Sequence, residues 1–141
     1  MKIRYLIYNE ILDLYKEQIS KFGGLCAIRD NNALLSIIAN PRREFAGREL
    51  YPTISSKSAI LVFSIIKNHP FMDGNKRTAY ICGRLFLRLN GYDLTCDHIC
   101  LKDLILNIAT SKASLDDVKD WFEVNIDKKD SLKIKTKIKK D

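Results

Sequence analysis

The sequence lacks the features that would set it apart from an ordinary water-exposed globular domain. No apolar run approaches the roughly 20 residues that a transmembrane helix needs. The richest stretch is only Ala59–Phe63 followed by Ile65 and Ile66. Lys2 and Arg4 precede acidic, helix-patterned sequence, not an apolar segment ending in small residues, so no secretory signal and a cytoplasmic location are expected. The four cysteines, Cys26, Cys82, Cys96 and Cys100, make no disulfide framework in such a chain. Cys96-Asp97-His98-Ile99-Cys100 has a faintly metal-like spacing, but the second ligand pair of a structural zinc is missing. Cys96 and Cys100 are therefore expected as small, partly buried residues beside a helix start. No internal repeat occurs, and only the Lys-rich end is low in complexity.

What is present is a chain of one-domain length, 141 residues, with 46% hydrophobic and 29% charged residues. The net charge of +7 invites a nucleic-acid reading, but its location argues against one. Residues 128–141 hold seven Lys and two Asp, a net +5, which leaves only +2 for residues 1–127. The expectation is a nearly neutral domain over 1–127 and a solvated basic tail over 128–141, with neither membrane nor nucleic acid as partner.

Apolar spacing and capping residues predict six helices and an all-α fold. Ile11, Leu12, Tyr15, Ile19 and Phe22 share one face of a helix over Asn9–Phe22, which Gly23-Gly24 ends. Asp30 caps a second helix through Ala39, stopped by Pro41. Arg42–Pro52 has no clean period and reads as an exposed loop or small hairpin. Thr53 or Ser55 starts a third helix to about Lys67, apolar on all sides at its centre and so expected in the middle of a bundle. A fourth spans about Asn75–Asn90, a fifth runs from Asp97 or His98 to about Thr110, and Ser114 caps a sixth with Asp117 at its N3 position. Lys2–Ile7 is expected as a short strand or an extended lead-in.

Between the third and fourth helices lies HPFMDGNKRTA, His69–Ala79. Asp73-Gly74-Asn75 would suit a hairpin turn, but the following sequence has helical, not alternating, pattern. A glycine turn that feeds a helix N-terminus offers backbone N–H groups to an anion. Lys76 and Arg77 oppose the helix dipole there, a local conflict that bound phosphates would offset. Asp73 is then a candidate Mg²⁺ ligand, with simple helix capping as the plainer reading. His69 is suited to take a proton near neutral pH, and Pro70 is expected to hold it extended. Phe71 is expected to plug the loop into the core.

The stretch His69–Ala79 resembles the Fic motif, HPFx(D/E)GN(G/K)R. Gly23-Gly24-Leu25, Ile28-Arg29-Asp30, Pro41, Phe45-Ala46-Gly47, Glu49-Leu50-Tyr51-Pro52 and Asn90-Gly91-Tyr92 resemble the death-on-curing branch of the Fic/Doc family. The resemblance covers roughly residues 5 to 125. It implies a compact helical bundle with a short β-hairpin flap before the central helix. It also implies transfer of part of a nucleotide from ATP to a protein hydroxyl. By that likeness His69 is the base, Asp73 holds Mg²⁺, Gly74, Asn75, Lys76 and Arg77 hold phosphates, and Phe71 anchors the loop. The flap, with Phe45, Gly47, Glu49, Leu50 and Tyr51, would dock the protein target.

Position 76 separates two chemistries. Adenylylating members usually carry Gly there. Death-on-curing toxins carry Lys, are understood to bind ATP reversed, and phosphorylate elongation factor Tu on a threonine. Lys76 therefore implies a phosphotransferase that stops translation. Pro70 and Gly74 are of the Fic type and keep adenylyl transfer as the alternative. No inhibitory stretch of the form (S/T)xxxE(G/N) is found, so restraint by an antitoxin, Phd-like or unrelated, is implied.

Overall fold

The computed structural model describes residues 2–129, and the greater part of the proposed basic tail, residues 130–141, lies outside them. Six helices form the domain. They are α1 (Tyr8–Phe22), α2 (Asn31–Ala39), α3 (Ile54–Asn68), α4 (Asn75–Leu89), α5 (His98–Ala109) and α6 (Leu115–Asn125). Their starts follow from local capping chemistry. The Asp30 carboxylate accepts the Ala33 N–H, Thr53 Oγ1 that of Ser56, Asp97 that of Cys100 and Ser114 Oγ that of Asp117. Asp117 reciprocates to the Ser114 N–H, closing a capping box, and these bonds hold its carboxyl below the usual aspartate range. After α2 a single 3-10 turn, Asn40–Arg42, carries Pro41 into the hairpin.

Ten of the fifteen residues of α3 are buried, which makes it the central helix. It packs against α4, α6, α5 and α2. Ala59, Leu61, Val62, Ile65 and Ile66 meet Ala79, Cys82, Phe86 and Leu87 of α4 and Val118 and Phe122 of α6 in one continuous core. Burial pushes the Cys82 thiol up to about 12.

Two small antiparallel sheets complete the fold. β1 (Glu44–Phe45) and β2 (Arg48–Glu49) form the expected hairpin before α3, exposed along both strands. The second sheet, absent from the sequence reading, pairs β3 (Tyr92–Leu94) with β4 (Ile126–Lys128). No helix among the described residues is long and apolar enough to cross a membrane.

Candidate active site

The ends of α3 and α4 meet at the loop His69–Gly74. His69 does not adopt the extended conformation expected before Pro70; its φ is 44° and ψ 62°, in the left-handed region. That backbone costs an L-residue about 1–2 kcal/mol. It persists because the segment 27–30 clamps the loop from outside. Arg29 donates from Nε to the His69 carbonyl (2.5 Å) and from Nη2 to that of Asn68 (2.7 Å). The Arg29 and Asp30 N–H groups both donate to the Pro70 carbonyl, and the Met72 N–H to that of Ala27. The guanidinium thus satisfies the last carbonyls of α3, where a cation also complements the helix dipole. Strain held by surrounding bonds in this way is a mark of functional loops.

Phe71 is fully buried and stacks on Tyr15 of α1, ring centroids 3.7 Å apart and planes 7° from parallel. The Tyr15 hydroxyl lies 2.9 Å from the Leu25 carbonyl and accepts the Ala27 N–H at 2.8 Å, and burial raises its pKa. Asn75 closes the loop from the other side. Its Oδ1 accepts the Phe71 N–H (3.1 Å) and its Nδ2 donates to the Phe71 carbonyl (2.9 Å). The Asn75 carboxamide is thereby engaged within the loop, which leaves its backbone N–H as the group it could offer an anion.

α4 begins after Gly74, whose φ of 79° is left-handed and whose position has no side-chain cap. The N–H groups of Asn75, Lys76 and Arg77 therefore lack helical acceptors, and Thr78 is the first to bond back, to the Gly74 carbonyl. The plainer reading of Asp73 as a cap for α4 does not hold. Its Oδ2 reaches back to accept the Leu25 N–H at 2.7 Å. Lys76 and Arg77 are exposed, and the Arg77 guanidinium lies 5.2 Å from the Phe22 ring centroid. A cleft of about 360 Å³ brings together His69, Asp73, Gly74, Asn75, Lys76 and Arg77, floored by Ile66, Met72 and Ala109. Open N–H donors, two cations and one carboxylate suit a polyphosphate with Mg²⁺ held jointly by Asp73 and phosphate oxygens.

The flap residues stand apart from this cleft and line none of it. Ala46 and Gly47 turn the hairpin with φ of 52° and 78°, and Phe45 projects 75% exposed. Glu49 pairs with Lys57 of α3 at 3.0 Å, while the Tyr51 ring sits 5.3 Å from Lys119 Nζ. Cys96 and Cys100 are half-buried. The Cys96 thiol is pushed up to about 12, by burial first and by Cys100 next. Among the described residues no group of three or more His, Cys, Asp or Glu is placed to hold a metal ion.

Sequence reading missed three supporting residues. Tyr15 reads in the sequence only as part of an apolar face, Arg29 only as part of the family resemblance, and Lys57 carries no local signal. A second groove of about 750 Å³ runs between α1, α4 and α5. Phe22, Tyr80, Ile81 and Leu106 line it, and Lys21, Lys76, Arg77 and Lys102 add cations. Lys76 and Arg77 belong to both groove and cleft.

A model of the Fic/DOC family matches residues 5–87. The protein named Toxin Doc from Mycolicibacterium smegmatis (strain ATCC 700084 / mc(2)155) is 36% identical over 99 residues, covering 69% of this chain and 76% of that protein. The protein named Protein kinase doc from Escherichia phage P1 is 32% identical over 118 residues, covering 84% of this chain and 92% of that protein.

Proposed function

The chain belongs to the Fic/Doc family, in its death-on-curing branch, and on that footing we propose that it is a toxin that transfers the γ-phosphoryl group of ATP to a Ser or Thr hydroxyl of a translation factor. The observation that carries the choice of group is Lys76. It stands in the first turn of α4 and lines the same cleft as His69. The name of the phage relative, a protein kinase, agrees with this reading.

In this reading His69 takes the proton from the target hydroxyl as its oxygen attacks the γ-phosphorus, and ADP leaves. The N–H groups of residues 75–77, Lys76 and Arg77 bind and orient the phosphates, so catalysis is alignment and charge stabilisation. Mg²⁺ held by Asp73 would neutralise phosphate charge. Phe71, Tyr15 and the Asn75 amide fix the loop, and Arg29 holds the backbone that presents the imidazole. Elongation factor Tu is the target that the resemblance favours. An antitoxin segment with an apolar face and acidic residues suits the second groove, and through Lys76 and Arg77 it would compete with the nucleotide.

Incubation of the purified protein with cytosolic extract and ATP labelled at either phosphate tests the chemistry. Label retained from the γ but not the α position is expected. The reverse pattern would establish the second reading, adenylyl transfer, which Pro70 and the left-handed Gly74 turn favour. In that case Lys76→Gly should preserve or raise α-label transfer.

A further inference from the structure

Lys57 lies in the first turns of α3, and its side chain is only 1% exposed, although lysine is almost never fully buried without partners. Its ammonium donates to the Pro41 carbonyl at 2.9 Å and to Glu49 Oε1 at 3.0 Å. It also lies 5.4 Å from the Tyr5 ring centroid, on a ring that Arg42 covers at 4.4 Å. The two acceptors stand at opposite ends of the hairpin. Pro41 sits in the 3-10 turn that leads into β1, and Glu49 is the last residue of β2. One buried ammonium therefore joins both feet of the flap to the central helix. At the entering foot Asn40 Nδ2 also donates to Ser64 Oγ of α3 at 3.1 Å and Pro41 is buried, whereas β1 and β2 are exposed throughout and the Leu50 N–H donates to the Arg43 carbonyl across the hairpin's own base.

We propose that Lys57 is a latch for the flap, a positioning residue that fixes the hairpin in the conformation that receives the protein target. Taking an ammonium out of water is costly, and an apolar side chain of similar volume would serve the core as well or better. The lysine makes sense when its job is to hold the polar feet of a segment with no core of its own. The activity arm of the test rests on the proposed transfer reaction; the structural arm does not.

Lys57→Met keeps the volume and removes the ammonium. Its Tm is expected within a few degrees of wild type. NMR order parameters of amides 44–50 are expected above about 0.8 in wild type and below about 0.6 in the variant, with those of α3 and residues 69–77 unchanged. In transfer assays KM for the protein target is expected to rise at least tenfold at unchanged Kd for ATP, a split that a general loss of structure would not give. Glu49→Gln, altered at the half-exposed end, should move the flap order parameters the same way and decides the matter if Lys57→Met does not fold. A wild-type flap already below about 0.6, or one equally rigid in folded variants, would overturn the latch. A wild type that transfers neither label would sink the transferase reading and leave the latch to the order parameters.

Discussion

The loop that leaves α3 at His69 and the flap that enters it before Thr53 are both short connections at the ends of one buried helix. The first is held at almost every residue. Arg29 grips the carbonyls of 68 and 69, two N–H groups grip Pro70, Phe71 is stacked and bonded to Asn75, and Asp73 reaches Leu25. The second has exposed strands, with one ammonium bonded to both of its feet and Asn40 bonded to Ser64 at the entering foot. The difference matches the role proposed for each. A loop that aligns reacting atoms loses rate with small misplacements, so it is over-determined. A surface that receives another protein tolerates, and can use, a looser hold.

Substitutions can break this contrast or sharpen it. The largest effect is expected at His69, where Ala should lower transfer by about 10²–10⁴-fold with the fold intact; a loss under tenfold would remove the imidazole as base. Gly at the same position should lose transfer equally yet be about 1 kcal/mol more stable than Ala by chemical denaturation, because it relieves the left-handed strain. Phe71→Ala should cost about 3–5 kcal/mol of unfolding free energy and loosen the catalytic loop. Equal stability would show that the loop is held from outside alone. Gly74 and Gly47 then offer matched probes, with φ of 79° and 78°. An added Cβ at Gly74 meets Ile19 at 3.1 Å, whereas at Gly47 it meets nothing. Gly74→Ala should cost about 1–2 kcal/mol and weaken ATP binding. Gly47→Ala should cost under about 0.5 kcal/mol globally, since the flap can distort by itself. Similar losses at both sites would erase the distinction.

The legibility of the sequence divides along the same line. All six helices could be read because their signals are local: Asp30, Thr53, Asp97 and Ser114 cap within three residues of themselves. The glycine turn before α4 was legible for the same reason, with Gly74, Lys76 and Arg77 in sequence beside the helix they start. What stayed hidden depends on partners far along the chain. β3 and β4 are three residues each and pair across α5 and α6. Arg29 acts on carbonyls about forty residues on. Lys57 carries no local signal, because its partners Pro41 and Glu49 lie on the preceding segment. The left-handed His69 defied the local rule for a residue before proline because the clamp from residues 27–30 outweighs it.

Both ends of the described chain converge on one place. The Asn90 carboxamide bonds the Arg4 backbone in both directions, and the Lys129 N–H donates to the Gly91 carbonyl beside the β3–β4 pair. This meeting point caps the far end of α4, a helix of fifteen residues and so about 22 Å long, whose near end follows the Gly74 turn. A surface tether, fluorophore or fused domain attached near residue 4 or residue 129 would start from the pole opposite the cleft. The same proximity would let a short linker join residues 4 and 129 in a circular permutant of the described residues, with new ends opened elsewhere.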